Sequence, residues 1–444
     1  MKMPNRWIAT TLALFLTLTA VAQDAAPAAG QMPTEPAPAS ADGQTPAEPV
    51  LALSGVQLQR GAGPEMPSGM IIPSFTVSEI ATRDGSQTEY QTAVNGNLSY
   101  SQVSGRGAFA LAYSGGGVFN TQNDSDPSFQ RVSVSESFSV RRWTFDLGDG
   151  LSYMPNAPVG GGVGIPGLDQ LATGLSFSDI SPNLLPSQSI LAFNTASLNN
   201  GSFGQTQYNF TRQTSVTAAA SYGLLRYLDN SVLNGDQMLF STGLNHAMGR
   251  SQAAIEYSYS RFGYDELNRG MEVHTAQLMY SWGMGRDFRA QFAAGPEIVH
   301  SRGFAMPTRV AGSGLAAISY ARKHNSLTLR YWRSANGGSG LLQGAMSDGV
   351  QLSASHQYRV WGVSANGSYA RNGGIEQQRT TSYRSAGLEV TGAINRRVST
   401  YFSYTYLMQG APNFCLAGTC AFNGDEHIFG FGFTWQPRGW RVGR

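Results

Sequence analysis

Lysine is nearly absent from this chain: Lys2 and Lys323 are the only two in 444 residues, so the basic charge is almost wholly arginine. Charged residues of both signs make up 13% of the sequence, where a soluble globular protein carries about a quarter. The formal net charge of +2 leaves no basic excess of the kind that grips nucleic acid, so no nucleic-acid partner is expected. Cysteine is limited to Cys415 and Cys420, too few for a structural zinc site with four nitrogen or sulfur ligands. Beyond the first 22 residues no stretch of about 20 apolar residues occurs, which excludes spanning helices. The glycine run Gly160-Gly161-Gly162-Val163-Gly164-Ile165-Pro166-Gly167 is not followed by Gly-Lys-Ser/Thr, so it is not a phosphate loop. No serine or cysteine stands in a spacing that marks a nucleophile with its base, and no enzyme activity, cofactor or metal is expected.

At the N-terminus, Lys2 and Arg6 precede an apolar run from Trp7 to Thr19 and then Ala20-Val21-Ala22. A charged start, a short apolar core and small residues at the cut form a secretory signal peptide over 1–22; the alternative, a membrane anchor, would need a longer run. Residues 23–70 are rich in Ala, Pro, Gln and Glu, as in Pro33-Thr34-Glu35-Pro36-Ala37-Pro38. Such a composition does not bury enough apolar surface to offset the entropy of ordering, so a flexible tail is expected.

From residue 71 the chain changes character. Trp361, Val363, Ala365, Gly367 and Tyr369 alternate with Ser364, Asn366, Ser368 and Ala370, and strand side chains alternate faces, so one face is apolar and the other polar. Eighteen such segments can be counted between 71 and 435, the first of them, 71–80, weakened by Pro73. Short connections alternate with long ones, and all eight of the recognisable short turns carry arginine, from Arg106 and Arg141 to Arg397. The long connections lie near 81–88, 120–128, 225–236, 262–271, 296–312, 334–349, 371–381, 408–426 and, longest of all, 154–203, and acids gather in them, as at Asp124, Asp169, Asp229, Asp265, Asp348 and Asp425. A soluble sandwich would hide its apolar face in a core. Here the polar faces are Ser, Thr, Asn, Gln and Gly, which suits a wet interior and a lipid exterior. The fold expected is all-β: an antiparallel transmembrane β-barrel over 71–444. With both termini on one side the strand number is even, hence eighteen, with sixteen as the alternative. Trp143, Trp282, Phe288, Trp361 and Trp435 lie on the apolar parity near the short turns, as an interfacial aromatic girdle would.

These features resemble the Gram-negative outer-membrane β-barrel superfamily in its porin-like branch. The resemblance covers about 71–435 and rests on architecture, with the closing strand His427-Ile428-Phe429-Gly430-Phe431-Gly432-Phe433-Thr434-Trp435 similar to the aromatic strand that barrel-assembly machinery recognises. The chain departs from that pattern by continuing from Gln436 to Arg444. The resemblance implies an outer-membrane location with both termini periplasmic, surrounded by lipid and lipopolysaccharide. It implies a passive channel for small polar solutes. Two alternatives stay open: an outer-membrane part of a polysaccharide or secretion exporter, its 23–70 tail engaging a periplasmic partner, and a sealed structural or adhesive barrel.

Parity places Glu89, Arg131, Asp146, Glu256, Arg289, Arg330 and Glu389 on the inner face, either as pore-lining charges or as ion pairs stiffening the wall. Both signs occur, so weak ion selectivity is expected. Glu136 and Asp149 have outward parity, which predicts either local bulges that turn them inward or a different register. The connection 154–203 is read as folding inward to narrow the pore or as packing over its mouth. In an oxidising compartment Cys415 and Cys420 are expected to form a disulfide.

Overall fold

The computed structural model describes residues 69–441 except 86, 105–106, 121–127, 155–195, 229–233, 265–268, 304–307, 340–341, 375–379, 411–414, 417–418 and 421–422. The signal segment 1–22 and nearly all of the 23–70 tail lie outside the described residues, as does most of 154–203. All described residues belong to one compact unit, Leu51–Arg444.

Eighteen long strands follow one another without a helix among the described residues. The first six are β1 (Met70–Asp84), β2 (Gln87–Val103), β3 (Gly107–Asn120), β4 (Ser128–Val140), β5 (Trp143–Met154) and β6 (Ser197–Asn209). The next six are β7 (Thr214–Tyr227), β8 (Gly235–Met248), β9 (Ser251–Tyr264), β10 (Arg269–Met284), β11 (Phe288–Arg302) and β12 (Arg309–Arg322). The last six are β13 (Asn325–Ser339), β14 (Leu342–Gln357), β15 (Trp361–Gly374), β16 (Thr380–Ala393), β17 (Val398–Gly410) and β18 (Gly424–Trp435). Each pairs antiparallel with its sequence neighbours, and β1 pairs with β18 from Phe75↔Trp435 to Asp84↔Glu426, closing the ring.

The outer surface is apolar. Leu98, Leu111, Val132, Phe240, Leu278, Phe292, Leu329, Leu388 and Phe431 all stand exposed on it. The residues between them, such as Thr76, Asn95, Asn97, Thr217, Asn245 and Ser403, point inward and are buried. An exterior of this kind is stable only in hydrocarbon, and a closed ring leaves no unpaired edge there. Strand lengths of 12 to 17 residues exceed the nine to eleven or so that cross a bilayer, so the ends project beyond it.

Short turns cluster at one rim. Four of them turn through a left-handed residue, which Gly249 and Gly285 supply at φ of 62° and 80°; Arg141 and Lys323 adopt it at 56° and 45° without that freedom. Pro73 fits because β1 is paired on only one side between Ile72 and Ser74: the β18 ladder begins at Phe75, and Trp440 and Arg441 pair with Ile71 and Met70. A residue without an N–H is tolerated where a ladder is missing.

Three expectations need correcting. Glu136 and Asp149 are not turned inward by bulges: the β3–β4, β4–β5 and β5–β6 ladders run unbroken past both, and both face outward. Asp149 is satisfied within the wall, accepting from Ser202 Oγ and from Asn200 Nδ2 at 3.4 Å. The connections expected at 81–88 and 334–349 shrink to two residues each, between Asp84 and Gln87 and between Ser339 and Leu342. The 154–203 connection loses its end to β6, which starts at Ser197.

The strands extend further because alternation changes sign near the long-loop rim. There the inner face becomes apolar. Ile80, Ala93, Phe129, Tyr383, Leu407 and Ile428 form one inner cluster, with Val118 against it, and Phe262, Tyr264, Met271, Val273 and Val299 form another. The outer face at that level carries charge instead, as at Arg261, Glu272 and Arg302.

Candidate functional site

The inner wall is the surface with chemistry to offer, and its small polar side chains follow from strand periodicity. Parity in the ladders places Glu89, Arg131, Asp146, Glu256, Arg289, Arg330 and Glu389 on it. They do not form a ring of one sign. Glu89 accepts from Gln91 Nε2 at 3.0 Å near the long-loop rim, and Arg330 lies over the Trp332 indole, 5.9 Å from its centroid. Gln351 and Asn366, inward on neighbouring strands β14 and β15, are exposed, so the lumen at their level is open to water.

The lumen is narrowed by the tops of β13 and β14. β13 pairs with β12 only as far as Gly314↔Arg333, then leaves the wall still paired to β14 up to Ser339↔Leu342. Its released end lies against the inner face of β9–β11. Ala335 N donates to Glu297 at 3.1 Å to Oε1 and 3.2 Å to Oε2. Tyr264 Oη donates to the Gly337 carbonyl at 2.7 Å. Gly337 leaves room for the Phe262 ring: a Cβ there would sit 2.5 Å from Phe262 Cδ1, so any other residue must displace that ring. Ala335 packs on the Phe262–Val299 apolar cluster. Within the hairpin, Asn336 Nδ2 donates to Ser347 Oγ, which donates in turn to Asn372 Oδ1 at 2.6 Å. Apolar contacts and these hydrogen bonds together fix the fold-in.

Glu297 and Glu426, both inward and buried, were assigned by sequence to the connections 296–312 and 408–426. Nothing local distinguishes them from loop acids. Among the described residues no group of three or more His, Cys, Asp or Glu could hold a metal. Two-residue strands place Cys415 opposite Cys420 on the backbone; directly opposed antiparallel residues stand about 4.5–5.5 Å apart at Cα, a separation that a disulfide spans.

The apolar exterior, the ring closure and the polar interior decide the class. The chain is a transmembrane β-barrel, porin-like in architecture.

No family model matches the sequence, and no curated protein matches it. Solved structures do resemble it in outline. Pseudomonas aeruginosa OccK2 (OpdF) in complex with glucuronate is 11% identical, with a TM-score of 0.43 over 83% of this chain and 98% of that one. Pseudomonas aeruginosa OprD is 9% identical, TM-score 0.41, over 85% and 98%. Pseudomonas aeruginosa OpdK with vanillate is 9% identical, TM-score 0.42, over 83% and 99%. The likeness is one of barrel outlines, and the solutes named for those proteins stay with them.

Proposed function

We propose that this barrel is a passive outer-membrane channel for small polar solutes, with short turns and both termini in the periplasm and the β13–β14 hairpin as its constriction. The exposure of the inward-facing Gln351 and Asn366 supports it most directly, because a sealed barrel would bury them. An eighteen-stranded ring is wide enough to enclose an aqueous path. Of the inward charges, Glu89, Asp146, Glu256, Glu297, Glu389 and Glu426 stand against Arg131, Arg269, Arg289, Arg309 and Arg330. Acids and bases in near balance among these described residues favour weak ion selectivity.

The remaining assignments follow from this location. Barrel-assembly machinery would receive the aromatic β18, a periplasmic partner would engage the 23–70 tail, and Cys415 and Cys420 would be bridged. No catalysis is assigned. Reconstitution of the full mature chain in planar bilayers tests the channel reading: stepwise conductance with a cation-to-anion permeability ratio of about 1 is expected. A barrel that inserts and stays silent, both as the wild type and with its hairpin loosened, would refute it.

A further inference from the structure

Arginine on the lipid-facing parity of a barrel needs an anion, because hydrocarbon offers none and an unpaired guanidinium there is unfavourable. Near the long-loop rim, β13–β16 bring three together on the outer face. Arg333, Asp348 and Arg371 are register partners across β13, β14 and β15, and Arg384 on β16 is the register partner of Tyr369, one outward position below Arg371. Asp348 is the one carboxylate in this patch among the described residues. It is engaged on the other side, by Arg333 Nη1 at 3.5 Å and by the Tyr331 hydroxyl at 3.2 Å. The next outward acid, Asp425, is two strands beyond Arg384 and faces His427 at 3.5 Å. Arg371 and Arg384 are both exposed. Arg384 is steadied by the Tyr369 ring, with its guanidinium carbon 5.8 Å from the centroid. Below them the surface turns apolar at Val350 and Leu352. A cationic pair with a stacked aromatic above an acyl-compatible wall fits a phosphorylated lipid headgroup, since guanidinium forks match phosphate oxygens in pairs.

We propose that Arg371 and Arg384, flanked by Arg333, form a binding site for the phosphorylated glucosamine headgroup of lipopolysaccharide. This rests on the outer-membrane orientation proposed above, which puts the long-loop rim in the leaflet that carries that lipid. Among the described residues the patch has three cations to one acid, an excess of positive charge that suits a doubly phosphorylated headgroup better than a single phosphodiester.

The test uses the full mature barrel, refolded free of lipid, as wild type and as R371Q/R384Q. Three probes are compared by native mass spectrometry and by thermal shift: bisphosphorylated lipid A, its fully dephosphorylated form, and phosphatidylglycerol. Lipid A is expected to bind the wild type and to lose at least about tenfold in affinity in the double variant, since charge-assisted hydrogen bonds to two guanidiniums are removed. The dephosphorylated form should bind both proteins weakly and equally. Equal lipid A binding by the two proteins, or phosphatidylglycerol binding as tight as lipid A, would overturn the proposal. Neither arginine faces the lumen, so single-channel conductance of R371Q/R384Q should match the wild type. A silent wild-type barrel that still retains lipid A would therefore count against the channel and not against this site.

Discussion

Loosening the β13–β14 hairpin is the perturbation that most directly probes how the lumen is narrowed. Two polar contacts and one tight approach hold the β13 end inside: Tyr264 Oη to Gly337 O, Ala335 N to the Glu297 carboxylate, and Gly337 against Phe262. Tyr264→Phe removes a neutral hydrogen bond, a loss of about 0.5–1.5 kcal/mol, and Glu297→Gln weakens one to a charged acceptor, about 1.5–3 kcal/mol. The pair couples through one segment, so the double variant should lose about 2–4 kcal/mol rather than a strict sum. At 1.4 kcal/mol per decade that multiplies the ratio of released to docked hairpin roughly 30- to 700-fold. Single-channel recording of Y264F/E297Q should then give larger and noisier open steps than the wild type. Gly337→Val should act in the same direction, because its side chain would have to displace the Phe262 ring. Conductance and noise indistinguishable from wild type, in a barrel that still shows the folded band on unheated gels, would refute the claim that this hairpin sets the constriction.

Other expectations concern the wall. Glu136 faces outward between Phe109 and Leu147, so Glu136→Leu should raise stability in urea by about 1–2 kcal/mol in lipid vesicles; a loss would mean that the carboxylate has a partner. Gly295 leaves no room on the β10 side, where a Cβ would lie 1.8 Å from the Ala276 carbonyl oxygen; Gly295→Ala should lower stability by about 1–3 kcal/mol, read from the same urea transition, and an unchanged midpoint would contradict the geometry. Truncation after Gln436 removes the Trp440–Arg441 pairing with Met70 and Ile71; amide exchange of Met70–Ile72 should accelerate while exchange near Val77 stays slow, and equal rates in the two proteins would show that the extension holds nothing.

The membrane-spanning middle of this fold is legible residue by residue, because hydrocarbon outside and water inside impose opposite demands on successive positions. Trp361 to Tyr369 announce their faces without reference to anything distant. The rule fails near the long-loop rim, where Met271 and Val273 turn apolar side chains inward and Arg261 and Glu272 point out. Alternation persists there, but its polarity is reversed, so a reading tuned to apolar-out stops the strand early and assigns the remainder to loops. Glu297 and Glu426 were displaced in this way, as was all of the β13–β14 tip. The fold-in is further hidden because it depends on where β13 leaves β12, a contact between segments, and on Phe262 meeting a glycine 75 positions further on. Glu136 and Asp149 show the converse. Their outward parity holds without a bulge, and Asn200 and Ser202 satisfy Asp149 from the neighbouring strand.

The seam between the first and last strands has a consequence for the order of events in folding. Thr76 and Thr434 share a hydrogen bond of 2.9 Å across 358 residues of separation. Closing a free loop of that length would cost about 5 kcal/mol in chain entropy. Successive hairpins remove most of that expense, since each new strand is laid against one already in place and the growing sheet curls its two edges toward each other. Until β18 arrives, however, the β1 edge is exposed along its whole length, and it is the most vulnerable surface of the unfinished barrel. Trp440 and Arg441 return to pair with Ile71 and Met70, so beyond the reach of β18 only the short stretch around Pro73 is left as open hem.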